Sequence, residues 1–204
     1  MIPNSRSSAY AEVFSSYIPH LQFAVTLTFK TKALIPIGYK PRPTPSKDCV
    51  WAICKRYYPQ YQWNEEVAYK EWRYLNESIA KSTLRYFYAK LTHLIFGKDS
   101  KRTSTKDYSK PLMIASIEGL DARSHKRIHA HLAIGNLPPH IDVRNMVEVA
   151  WHQCDFAHRQ LSVKPITHTQ GWLEYLCKEI DFDNCDALQL QSIYEPLSYR
   201  TALA

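Results

Sequence analysis

Several absences narrow what this chain can be. No apolar run approaches the length of a membrane span, and Met1 to Tyr17 shows no charged-then-apolar signal pattern. The expectation is a protein that stays where it is made, in a cytoplasm, with no membrane partner. No Cys-x2-Cys pair occurs, and the 5 cysteines (Cys49, Cys54, Cys154, Cys177 and Cys185) are odd in number. Neither a disulfide framework nor a typical zinc module is indicated, so the thiols read as reduced and mostly buried. His152, Cys154 and His158 could meet around a metal; a helix end rich in soft residues is the competing account. There is no internal repeat and no clear domain boundary, and 204 residues fit one domain with a full core. Acidic residues fall short of basic ones, 19 against 26, leaving a net charge of +7. That excess suggests an anionic partner.

What is present is aromatic and alternating. Fourteen tyrosines and 5 tryptophans interleave with the basic residues, a composition suited to stacking on unpaired bases or, in part, simply to a core. After a weakly patterned lead-in over 1–20, residues 21–30 alternate. Leu21, Phe23, Val25, Leu27 and Phe29 face one way, Gln22, Ala24, Thr26, Thr28 and Lys30 the other, as in a strand with one packed face. Prolines at 36, 41, 43, 45 and 59 exclude a long helix or central strand over 31–64, which reads as an insertion. A helical stripe (Trp72, Leu75, Ile79, Leu84, Phe87, Leu91, Leu94) predicts a helical region from Glu65 to about Phe96, ended by Gly97. Residues 98–110 read as a flexible basic loop.

A second strand is expected over Leu112–Glu118 and a third over the run RIHAHLAIG. Asp142 caps a helix to about His152, a fourth strand spans Arg159 to Ile166, and a last helix spans Gly171 to Ile180. An acidic turn and an unassigned tail, 181–204, follow. The order strand, helix, strand, strand, helix, strand, helix predicts an α+β domain of ferredoxin or RRM-like type. Its central antiparallel sheet has four to five strands, helices on one face and an open polar face.

Residues i and i+2 of a strand share a face, so His129 and His131 project together while Ile128, Ala130, Leu132 and Ile134 enter the core. Two imidazoles on neighbouring pleats make half of a metal site. If the second and third strands pair as a hairpin, Glu118 lies opposite His129 and becomes a third ligand; its alternative is a surface ion pair with Arg123 or Lys126. Two imidazoles, a carboxylate and open positions suit Mn²⁺ or Mg²⁺ that must also hold a phosphate oxygen. On the last helix Leu173, Leu176, Cys177 and Ile180 face inward, and Tyr175 and Lys178 share the other side. A tyrosine hydroxyl, with a pKa near ~10, is a poor nucleophile unless a metal polarises the phosphate and a cation steadies the charge.

These stretches resemble the HUH endonuclease superfamily, particularly single-tyrosine rolling-circle replication initiators of phages and plasmids. Residues 23–29 (FAVTLTF) look like its first motif, His129-Ala130-His131 like its histidine–hydrophobic–histidine motif, and Tyr175-Leu176-Cys177-Lys178 like its Tyr-x-x-Lys motif. Order and rough spacing agree over 21–180, whereas the Pro-rich insertion has no counterpart. The resemblance implies a nickase with metal at His129, His131 and Glu118. Tyr175 would attack single-stranded DNA, leaving a 5′-phosphotyrosine and a free 3′-hydroxyl, and Lys178 would neutralise charge or contact DNA. Thr26, Thr28, Lys30, Lys101, Arg102, Lys126 and Arg127 are the expected DNA contacts, with a host helicase and polymerase as further partners. Three readings compete with it: a single-tyrosine transposase, a non-catalytic module binding single-stranded nucleic acid, and a metal hydrolase using water.

Overall fold

A computed structural model describes residues 14–36, 70–97, 110–119 and 127–178. The expected contacts Lys101, Arg102 and Lys126, most of the basic loop and the 181–204 tail lie outside these. The chain forms two compact units, Lys32–Tyr74 and the remainder.

The larger unit is α+β. A one-turn 3-10 segment, Ser15–His20, leads into β1 (Leu21–Phe29). Helix α1 (Glu77–Phe96), strands β4 (Leu112–Glu118) and β5 (His129–Gly135), helix α2 (Val143–His152), strand β6 (Ala157–Pro165) and helix α3 (Thr169–Cys177) follow. The four strands form one antiparallel sheet in the order β4-β5-β1-β6. This is the expected ferredoxin-like arrangement, with α1 and α2 packed on one face. There Val25, Leu27, Ile117, Ala130 and Leu132 are fully buried. Trp151 of α2 meets Phe29 of β1 at 5.2 Å and Phe87 of α1 at 5.8 Å, both edge-on, which ties the helices to the sheet.

Local chemistry sets the helix ends. Asn76 accepts a hydrogen bond from the Ile79 amide at 2.9 Å and Asp142 one from the Asn145 amide at 3.1 Å, each meeting an amide that the first turn leaves unpaired. Gly97 closes α1 with φ of 63°. The start of α1 differs from the sequence expectation: the helix begins at Glu77, not near Glu65. Residues 70–74 are extended instead, and Trp72 and Leu75 leave the helical stripe. Their i, i+3 spacing mimics a helix, but strand pairing overrides it.

The expectation of an open polar face also needs correcting. At one end that face is covered by α3 and the 3-10 segment. Leu173, Leu176 and Cys177 pack with Phe14, Tyr17, Leu21, Leu112, Ile114 and Ala133. Leu21 reaches this side because the register slips between Leu21 and Phe23, where Leu21 pairs with Gly135 and Phe23 with Ile134. One extra residue in a strand flips what precedes it to the other face. Gly135 is required there, since a Cβ would fall on the His20 carbonyl oxygen.

The smaller unit contains β2 (Lys32–Pro36) and β3 (Lys70–Tyr74), an antiparallel ribbon. The insertion expected over 31–64 therefore reaches Tyr74. Its neck is closed in the larger unit by a hydrogen bond from the Leu75 amide to the Thr31 carbonyl, 2.8 Å. No helix among the described residues is long and apolar enough to cross a membrane.

Candidate functional site

The β4–β5 register places Glu118 opposite His129 and Ser116 opposite His131, while β1 places Thr28 opposite His129 and Thr26 opposite His131. The hairpin inferred from alternation is thus the one that forms. Glu118 Oε2 lies 3.3 Å from His129 Nε2, and Glu118 Oε1 lies 3.3 Å from His131 Nε2. The ligand atoms of all three residues fall within 4.8 Å of one another, the one such group among the described residues.

Each imidazole is oriented through its other nitrogen. His129 Nδ1 donates to the Arg127 carbonyl at 2.7 Å, which fixes a proton there and turns Nε2 toward Glu118. His131 Nδ1 shares a hydrogen bond of 3.0 Å with Thr26 Oγ1, and with the proton on Nδ1 the hydroxyl accepts. Thr26, an expected DNA contact, is hydrogen-bonded to a histidine, and Thr28, another, is buried. Gly119, at φ of 83°, turns the chain straight after Glu118 where a Cβ would press on the Arg127 carbonyl that holds His129.

The residues fit a divalent cation. Glu118 is 1% exposed, and the Ser116 Oγ beside it is buried with no hydrogen-bond partner. A buried carboxylate beside two imidazoles is a set of oxygen and nitrogen donors that could hold a metal ion. The Lys178 ammonium stands 2.8 Å from Glu118 Oε1. Burial alone would raise the Glu118 carboxyl, but hydrogen bonds from His129 and Lys178 and the charge of His131 outweigh it and hold the carboxyl at about 2. The hydrogen bond to Glu118 raises His129, against the opposing effect of burial. Burial pulls Lys178 down, and its contacts with Glu118 and Tyr175 more than offset this, so it is raised.

Helix α3 brings Tyr175 and Lys178 to this group. His168 caps it, accepting from the Gly171 amide at 3.0 Å. The Tyr175 hydroxyl lies 3.2 Å from His131 Nε2, and the Lys178 ammonium sits 3.6 Å above the Tyr175 ring. Five sequence-expected residues therefore converge: Glu118, His129, His131, Tyr175 and Lys178. Trp172 was not foreseen. It stacks against Tyr175 (5.1 Å, 15°) and donates from Nε1 to the Leu132 carbonyl at 3.2 Å, bracing the tyrosine from behind. Its i−3 spacing from Tyr175 was the available signal.

Lys30 and Arg127 join a basic cluster with His158 and Arg159 that sequence patterning did not single out. Arg127 Nη1 lies 3.2 Å from His158 Nε2, and the Gln160 amide donates to His158 Nδ1 at 3.1 Å. A neutral imidazole accepts at one nitrogen only, so the cluster carries a surplus donor. Slight burial and the charges of Arg127, Arg159 and Lys30 push His158 down. The cysteine–histidine grouping at 152–158 is not a metal site in this fold. The Cys154 thiol is buried against the Ala150 carbonyl, and burial, aided by Asp155, pushes it up to about 12. Comparison with protein-family models, with curated proteins and with solved structures finds no match.

Proposed function

We propose that the protein is a metal-dependent nickase and ligase of single-stranded DNA, with Tyr175 as nucleophile. On this reading it initiates rolling-circle replication of a phage or plasmid, as its resemblance to HUH endonucleases suggests. The carrying observation is the Tyr175 hydroxyl at 3.2 Å from His131 Nε2, beside a three-residue ligand group. Glu118, His129 and His131 would hold the divalent ion, which supplies Lewis acidity toward a phosphate oxygen when bound. The Tyr175 oxygen attacks phosphorus and the P–O3′ bond breaks. The DNA 5′ end becomes joined to tyrosine, and the departing 3′ oxygen takes up a proton as a free hydroxyl. Tyr175, 38% exposed, releases its own proton to water. Lys178 offsets the negative charge that develops beside the ring, and Trp172 keeps the ring from rotating away. The phosphoester energy is retained, so the reverse attack by a 3′-hydroxyl reseals the strand.

The cluster of Lys30, Arg127, His158 and Arg159 gives the flanking phosphates a cationic path, while helicase and polymerase come from the host. The test is incubation with circular single-stranded DNA and Mn²⁺, with and without chelator, followed by a denaturing gel. A protein–DNA adduct that requires metal and disappears in Tyr175→Phe is expected. Metal-dependent cleavage that persists in Tyr175→Phe would replace this reading with a hydrolase using water. Binding without cleavage on origin-bearing DNA would replace it with a non-catalytic module. An adduct whose end joins a new target rather than its own would make the protein a transposase.

A further inference from the structure

The β2–β3 ribbon is inverted relative to what burial favours. Lys32 pairs with Tyr74 and Leu34 with Trp72, so these four side chains share one face. On that face Tyr74 is 70% exposed, Trp72 55% and Leu34 42%. The other face holds Ala33, which is buried, together with Arg73 and Glu71, which pair with each other at 3.1 Å. The small residue is inside and the two largest aromatics are outside. A two-stranded ribbon is marginal in water, and a tryptophan left half-exposed on it contributes much less than a buried one. The face has an asymmetric charge as well: its one charged residue with a described side chain is Lys32, whose ammonium lies 4.9 Å from the Trp72 ring centre. The acid of the ribbon is on the opposite face, already neutralised by Arg73.

We propose that the Lys32–Leu34–Trp72–Tyr74 face is a base-stacking platform for single-stranded DNA. Aromatic rings beside a cation, with no carboxylate among them, suit unpaired bases and their phosphates and repel no part of the strand. Spacing favours single strands over duplex. Side chains two residues apart on a strand stand about 7 Å apart, whereas successive nucleotides in a duplex strand rise by about 3.4 Å. Trp72 and Tyr74 therefore take bases from an unstacked strand. The inference rests on the proposed function only for the choice of DNA over RNA, and it needs no chemistry at Tyr175.

The test is fluorescence anisotropy of a labelled single-stranded oligonucleotide, without added metal, using the full chain. Trp72→Ala/Tyr74→Ala weakens binding by roughly 10-fold or more, from the ~1–3 kcal/mol that one stacked base contributes. Binding to a duplex of the same sequence changes little. Trp72→Phe/Tyr74→Phe keeps stacking and retains most of the affinity, which separates loss of rings from loss of fold. Lys32→Met lowers the salt slope by about one ion. Unchanged affinity in the alanine variant would overturn the proposal, as would an equal loss for duplex. A change of oligomeric state in that variant with DNA binding intact would assign the face to protein contact instead. If the ring-dependent binding is found but no covalent adduct forms on any DNA, the platform stands and the nickase reading falls; the opposite pair of results removes the platform alone.

Discussion

The sheet face that carries His131 has two ends, built on opposite principles and spanned by the same helix. At one end Leu112, Ile114, Ala133 and Leu21 meet Leu173, Leu176 and Cys177, with little polar about them. At the other, Ser116, Glu118, His129 and His131 meet Tyr175 and Lys178. The first end has many interchangeable apolar contacts; the second has a few directional ones, and its buried Ser116 hydroxyl has no hydrogen-bond partner. The apolar end supplies the stability that lets the polar end remain under-satisfied, and it fixes α3 so that Tyr175 stays over the ligand group.

The comparison breaks most sharply at Leu176, which is almost fully buried. Leu176→Ala should cost about 3 kcal/mol of stability, seen in urea unfolding, and should weaken adduct formation without touching a ligand. A variant of wild-type stability would mean that α3 is held by something else. At the polar end, Thr26→Val leaves His131 Nδ1 without its acceptor. Mn²⁺ affinity by calorimetry should fall roughly 10-fold while stability changes little, and unchanged affinity would take Thr26 out of the site. Lys178→Met removes a cation that shares Glu118 Oε1 with any incoming metal. Mn²⁺ should bind roughly 3-fold tighter or better, although the metal-free protein becomes less stable with its carboxylate uncompensated. Weaker binding would make Lys178 a support of the site rather than a competitor.

pH gives the smallest and most graded effect. Glu118 is held near 2 against an ordinary 4.5, so its contribution to stability is present above 4.5 and is lost as pH falls toward 2. His129 is raised, so its contribution is complete below the ordinary histidine value and fades as pH climbs through the folded one. The metal-free protein should therefore be most stable in the mildly acidic interval between these limits. Since ligation displaces the His129 proton, Mn²⁺ should bind more weakly at about pH 6 than at about pH 8. A pH-independent affinity would exclude His129 as a ligand.

How much of this could be read from the chain follows the same division. Strand Leu112–Glu118, a short apolar run, was legible: it begins and ends as expected, and its pairing put Glu118 opposite His129. Capping chemistry marked α2 at Asp142 and the end of α1 at Gly97, because those signals are local. Trp72 and Leu75 misled because their i, i+3 spacing fits a helix, whereas pairing with Lys32–Pro36 draws Trp72 into a strand. The slip at Leu21, the cover that α3 places over the sheet and the stacking of Trp172 on Tyr175 depend on residues far apart in sequence. Patterning cannot register those contacts.

The most direct test of the central claim is to locate the covalent bond. Wild-type protein is reacted with single-stranded origin DNA and Mn²⁺, digested with nuclease and protease, and mapped by mass spectrometry. The account predicts a nucleotide 5′-phosphate on the peptide bearing Tyr175 and on no other tyrosine peptide. DNA linked to a different residue, or cut DNA with no modified peptide, would contradict it.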